Sequence, residues 1–257
     1  MLLAIDVGNT NIVIGCVEGD DIRFSARFAT DKDRTEDEYA LMLMSLFQIH
    51  KVKPEEIDGG IISSVVPELK NVLQKAVKLV TGVTSLIVTL GLDTGLEVAV
   101  DAPHTLGTDL VVDAVAAIAK YPTPIVIFDM GTATTVSVID KEGVYRGGMI
   151  MPGLRLSVDA LSTRTSQLPR ISLDEPEQLI GTNTINCMKA GAVYGTAAML
   201  DGLVDRLEEE LGQTPTVIAT GGLIGDIVPH CRRKMIYDKD LMILGLQILY
   251  EKNKDRQ

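Results

Sequence analysis

Two stretches of this chain share one arrangement of apolar and polar positions. Residues 2–16 run as an apolar segment, an acid (Asp6), a glycine (Gly8), a short polar turn and a second apolar segment, which predicts two strands joined by a tight loop. Residues 125–139 repeat the arrangement, with Asp129, Gly131 and Thr132 in the corresponding places 123 residues after the first acid. Either stretch alone reads equally well as an ordinary β-hairpin whose Asp satisfies turn amides. Recurrence at about the length of one domain points instead to a duplicated unit. A third glycine turn, Gly221 and Gly222, follows the apolar run 216–219.

The intervening pattern alternates between periods of two and of about 3.6. Residues 22–28 alternate like a strand, and Thr35 with Glu38 has the spacing of a capping box that opens a helix bearing Tyr39, Leu43, Leu46 and Phe47. Residues 60–66 predict a strand with no polar face, and Pro67 begins a helix closed by Gly82. Runs 85–89 and 96–100 read as further strands. Gly107 then precedes an Ala/Val-rich helix with Asp109 in its first turn and Asp113 one turn on. A proline-rich joint at 120–124 opens the second half, so the expected division is 1–119 and 120–257. There, 145–153 reads as a strand followed by a helix with Leu154, Val158 and Leu161. Further helices are expected through Gly191 and Gly195, separately over Leu200 to Leu211, and over 241–250, with 251–257 disordered. Strands alternating with helices make this an α/β chain.

Composition narrows the partners. The 257 residues are 46% hydrophobic, enough to fill two small cores, but aromatics are only 4%, Trp is absent and the net charge is −11. Such a surface repels nucleic acid and anionic membranes and offers little on which bases could stack. No run approaches the ~18 apolar residues of a spanning helix and the N-terminus has no basic leader, so a cytoplasmic protein is expected. Cys16, Cys187 and Cys231 have no metal-ligand spacing and read as buried or half-buried free thiols.

A small phosphate ligand remains compatible with this charge, because backbone amides and a cation held by a carboxylate can carry phosphates without a basic surface. Asp109 has two readings: complement to a helix dipole, or a carboxylate presented to a substrate. The small residues Gly191 and Gly195 admit close approach of another backbone, from within the subunit or from a second copy.

The paired loops and the late Gly-Gly turn resemble the actin, sugar kinase and Hsp70 class, in which two related domains face each other across a nucleotide. More specifically, Asp6-Val-Gly-Asn-Thr-Asn11, Gly107-Thr-Asp109, Asp129-Met-Gly-Thr132, Gly147-Gly-Met-Ile-Met-Pro-Gly153, Leu168-Pro169, Thr182-Asn-Thr184 and Ala219-Thr-Gly-Gly222 resemble, in order, the motifs of type III pantothenate kinases. The resemblance implies a two-lobed, duplicated actin-like (ribonuclease H-like) α/β fold with mixed sheets flanked by helices. It implies ATP-dependent phosphorylation of pantothenate, the first step of coenzyme A synthesis, by a homodimer.

By the same resemblance, Asp6, Val7, Gly8, Asn9, Thr10, Asn11, Ile12, Val13 and Thr132 contact ATP. Asp129 serves a monovalent cation, potassium or ammonium, and Asp6 a divalent one, magnesium. Gly107, Thr108, Asp109, Leu110, Val100 and Thr184 meet pantothenate, with Asp109 as general base. Four positions depart from the family pattern, all on the pantothenate side. Leu110 stands where an Arg is usual, Val100 where a Tyr is, Ala102 where an Asn precedes Pro103, and Asp113 where an Asn is common. A nucleotide-binding regulatory paralogue, or a kinase of another small alcohol, therefore stands beside the pantothenate reading.

Overall fold

The computed structural model describes residues 1–89 and 91–256. The first hairpin forms as β1 (Leu2–Val7) and β2 (Asn11–Glu18), and β3 (Asp21–Ala29) extends it. α1 (Glu36–His50) opens on Thr35, whose hydroxyl accepts from the Glu38 amide while the Glu38 carboxylate accepts from the Thr35 amide at 2.8 Å. β4 (Gly59–Ser64) is buried throughout, as an apolar strand covered on both faces must be. α2 (Pro67–Thr81) starts on a proline, where a missing amide costs nothing, and β5 (Leu86–Ile87) follows. α3 (Thr108–Lys120) carries Asp109 in its first turn. The second half comprises β6 (Ile125–Met130), β7 (Ala133–Ile139), β8 (Tyr145–Pro152), α4 (Leu154–Arg164), α5 (Thr184–Leu211), β9 (Thr216–Thr220), β10 (Ile236–Tyr237) and α6 (Leu241–Asn253).

The same five-stranded sheet is built twice, in the orders β3-β2-β1-β4-β5 and β8-β7-β6-β9-β10. In each, a three-stranded antiparallel meander is joined along its first strand to parallel strands. The register repeats as well, with Asp6 opposite Ser63 of β4 and Asp129 opposite Thr220 of β9. This is the duplicated actin-like α/β fold. Side chains on a strand alternate between faces. On β1, Leu3, Ile5 and Val7 join a core closed by Leu43 and Phe47 of α1 and Leu69 and Leu73 of α2. Leu2, Ala4 and Asp6 take the opposite face, where α6 packs closely enough that Ile243 lies against Gly15, the partner of Ala4. On β6, Val126, Phe128 and Met130 likewise meet α4 and α5, which leaves Asp129 on the other face.

The first compact unit comprises Met1–Gly95, Ala102–Ala116 and the chain from Leu241 onward; the second comprises Leu96–Asp101 and Ala117–Asp240. A single cut at 119/120 misses this partition, because α6 returns to the first sheet. Several expected elements differ. Residues 96–100 form no strand but one bridge, Val98 to Tyr145, and the expected strand over 85–89 shortens to β5. The two helices expected between 185 and 211 are one, α5, because Leu200, Val204 and Leu207 continue the stripe begun by Val193 and Ala197. Of the tail expected to be disordered, Glu251 to Asn253 are helical, since the Asn253 side chain donates to the carbonyls of Asp93 (3.0 Å) and Leu249 (2.9 Å); Gln257 lies outside the described residues. Cys187 is exposed rather than buried. Among the described residues no helix is long and apolar enough to cross a membrane.

Candidate active site

The loop between β1 and β2 is held from inside and from β3. The Gly8 amide donates to the Asn11 carbonyl at 2.9 Å. Thr30, just past β3, donates its amide to the Thr10 carbonyl (2.9 Å) and its hydroxyl to the Gly8 carbonyl (2.7 Å). Asn9 and Thr10 are exposed at the tip and Asp6 is half-buried at its base, while Val7 and Ile12 put their side chains into the core. Any phosphate contact at Val7 or Ile12 is therefore made by the backbone.

The loop between β6 and β7 is one residue shorter, since Asp129 pairs with Thr135 where Asp6 pairs with Val13. The Gly131 amide donates to the Ala133 carbonyl (3.0 Å) and the Gly153 amide to the Thr132 carbonyl (3.1 Å). A Cβ on Gly153 would run into the carbonyl oxygens of both Gly131 and Thr132, so only glycine closes this loop. Gly221, at φ +97°, brings the turn after β9 against the Asp129 carboxylate and the Met130 backbone. Thr132 is exposed at the tip.

Asp109 is partly buried in the first turn of α3. Burial pushes its carboxyl above the ordinary aspartate value, against its own and the Leu110 backbone amides, which favour the ionised form. Gly107 accepts from the Val111 amide at 3.3 Å, so the helix begins on that glycine. The Thr108 hydroxyl lies 3.3 Å from the hydroxyl of Ser63, itself the register partner of Asp6. Within the first unit, two hydroxyls thus join β4, the neighbour of the strand bearing Asp6, to the helix bearing Asp109. Asp113, one turn on, is buried. A carboxylate whose proton affinity is raised, beside hydroxyl and amide donors, can accept a proton from an alcohol.

A profile of the type III pantothenate kinase family matches residues 2–206. Type III pantothenate kinases of an Exiguobacterium species and of Brevibacillus brevis are 44% and 41% identical over 254 residues, covering 99% of this chain and all of each relative. The chain belongs to the type III pantothenate kinase family. Its fold is also that of component A of the Acidaminococcus fermentans (R)-2-hydroxyglutaryl-CoA dehydratase, at 15% identity and a TM-score of 0.57 over 100% of this chain and 99% of that one.

In this family member, residues 6–13 and 107–110 belong to the first unit, and Val100, Asp129, Thr132 and Thr184 to the second. Val100 lies beside β8, next to Ala99, whose amide donates to the Tyr145 carbonyl (2.9 Å). Thr184 is exposed at the start of α5, behind Asn183, whose side chain caps the Asn186 amide at 2.9 Å. Sequence reasoning missed Ser63, Thr30 and the closing role of Gly153. Ser63 had a usable signal, since a hydroxyl pair interrupts an otherwise apolar buried strand. Thr30 had none, because its partners are the carbonyls of Gly8 and Thr10, distant in the sequence.

Proposed function

We propose that this chain transfers the γ-phosphoryl group of ATP to the primary hydroxyl of pantothenate, opening coenzyme A synthesis, with Asp109 as general base. Kinship over the full length of pantothenate kinases carries this reading, and the raised proton affinity of Asp109 supports its role. Phosphoryl transfer demands mainly alignment and charge neutralisation. The pantothenate oxygen bonds to the γ-phosphorus, the bond from that phosphorus to the β,γ-bridging oxygen breaks, ADP leaves, and the hydroxyl proton passes to the Asp109 carboxylate. Asp109 is needed as that bond forms, and it acts in its ionised state. Gly107, Thr108, Leu110, Val100 and Thr184 hold the pantothenate, while residues 6–13 and Thr132 hold phosphates through amides and hydroxyls.

The donors suit hard cations. Among the described residues no three His, Cys, Asp or Glu gather as a metal cluster, and magnesium characteristically binds through one or two carboxylates with water and substrate phosphates completing its shell. Asp6 is the residue to hold it, and Asp129 the one to serve potassium or ammonium. The cations would neutralise phosphate charge. A homodimer accounts for the exposed apolar residues Leu179 and Ile180, which line one hollow with Ala190, Gly191 and Gly195 of α5, and a cytoplasmic location accounts for the free thiols.

Leu110 favours one second reading, a kinase of a less anionic alcohol, because an apolar side chain stands next to the base where the resemblance implies an Arg. Product formation from ATP and pantothenate, with and without potassium, tests the first reading. Potassium-stimulated phosphopantothenate is expected. ATP binding without product, or faster turnover of another small alcohol, would overturn it.

A further inference from the structure

Ser63 and Ser64 are adjacent at the end of β4, both buried, yet their hydroxyls do different things. Ser64 closes on its own turn, donating to the Val66 carbonyl at 2.8 Å and accepting from the Val66 amide at 3.1 Å. Ser63 reaches 45 residues along the chain to the Thr108 hydroxyl, 3.3 Å away. Register partners on neighbouring strands share a face, so Ser63 stands beside Asp6 on the face that α6 covers. The body of α3 packs on α6, with Val112 against Gly245. Apolar packing of that kind fixes distance but not rotation, whereas a hydrogen bond is directional. The hydroxyl pair is a directional contact on the first turn of α3, one residue before Asp109, whose carboxylate is met by its own and the Leu110 backbone amides.

Resting on the kinase reading above, we infer that Ser63 is a positioning residue for phosphoryl transfer: through Thr108 it fixes Asp109 relative to the strand that carries Asp6. Ser63 touches neither substrate nor nucleotide in this role. A misplacement of about 1 Å in such a site costs on the order of a hundredfold in rate, so loss of one buried hydroxyl is enough to be read kinetically.

The test compares wild type, Ser63→Ala, Ser63→Thr and Ser64→Ala by steady-state kinetics with ATP and pantothenate, and by amide hydrogen exchange over residues 107–113. Ser63→Ala is expected to lower kcat by about ten- to a hundredfold at saturating substrates, to leave KM for ATP within about threefold, and to speed exchange in that segment. Ser63→Thr, which keeps the hydroxyl, should recover most of the rate. Ser64→Ala should lower Tm while kcat stays within about threefold, because its hydroxyl serves only its own turn. If Ser63→Ala does not fold, Ser63→Cys replaces the hydroxyl with a weakly donating thiol of similar shape and carries the same expectation. A kcat within threefold of wild type in Ser63→Ala, or an equal loss in Ser64→Ala, overturns the role. A wild type silent toward pantothenate, with faster exchange in Ser63→Ala, supports the positioning and overturns the substrate assignment instead. Unchanged exchange overturns the positioning whichever alcohol is phosphorylated.

Discussion

The two sheets place an acid at the same rung and then brace it by different means. Behind Asp6, the loop is closed by a side chain, with the Thr30 hydroxyl on the Gly8 carbonyl. Behind Asp129, it is closed by the absence of one, since Gly153 lets its own backbone meet the carbonyl of Thr132. The parallel neighbours differ in the same way. Ser63 beside Asp6 reaches out to α3, whereas Thr220 beside Asp129 is followed by Gly221, which folds back onto that carboxylate. Duplication kept strand order and register, which the sheets need, and let the braces diverge, because only local satisfaction of the loop carbonyls constrains them.

That difference sets an order of expected effects. Gly153→Ala forces a Cβ into two carbonyl oxygens and should cost about 2–4 kcal/mol in chemical denaturation, with loss of the Tm rise produced by ATP. Thr30→Val removes one hydrogen bond at the corresponding place and should cost about 1 kcal/mol. Equal costs would break the comparison. If position 110 meets the substrate as proposed, Leu110→Arg adds a charged contact and should lower KM for pantothenate by about tenfold, read at saturating ATP. No gain would mean that neighbouring residues already meet the pantothenate carboxylate.

The smallest effects concern two acids with opposite shifts, Asp109 partly buried and Asp238 buried. Asp109, in the first unit, is raised by burial. Asp238, in the second, is pushed up by burial but held below the ordinary value overall by hydrogen bonds from Lys120 (2.8 Å) and Tyr121 (2.7 Å). A raised folded-state value gives stability that is full below the unfolded value, 3.8, and is lost as pH rises through the folded one. Asp109→Asn should therefore raise Tm at neutral pH, with the gain vanishing on acidification toward pH 3.8. A lowered value gives stability that is present above 3.8 and lost as pH falls through the folded one. Asp238→Asn should lower Tm at neutral pH, and this loss also shrinks on acidification. Thermal melts between pH 3 and 8 read both signs, and two shifts of the same sign would contradict the assigned causes.

Much of this was legible in the chain itself. The duplicated hairpins announced themselves because a strand, an acid and a glycine turn are all local, and the capping box of α1 and the proline start of α2 are local for the same reason. What was not legible depends on contacts distant in sequence. The return of α6 to the first sheet leaves no mark in its own residues, which are apolar on most sides. The run 96–100 has strand composition but makes a β-bridge, Val98 to Tyr145, rather than a strand, so composition misled. Helix α5 was split in two because the leucine stripe from Leu200 onward read as a helix separate from the small-residue stretch through Gly191 and Gly195, whereas Leu200 and Val204 bury the same stripe as Val193. At the candidate site, Asp6, Asp109 and Asp129 were visible through their motifs, but Ser63 acquires meaning only beside Thr108.

The central claim is that Asp109 performs chemistry while the acid-tipped loops hold nucleotide, and it is tested most directly by turnover and ATP affinity measured together on Asp109→Asn. The account predicts kcat lowered by at least about a hundredfold with the ATP dissociation constant within a few-fold of wild type. Turnover equal to wild type, or ATP affinity lost in parallel with rate, would contradict it.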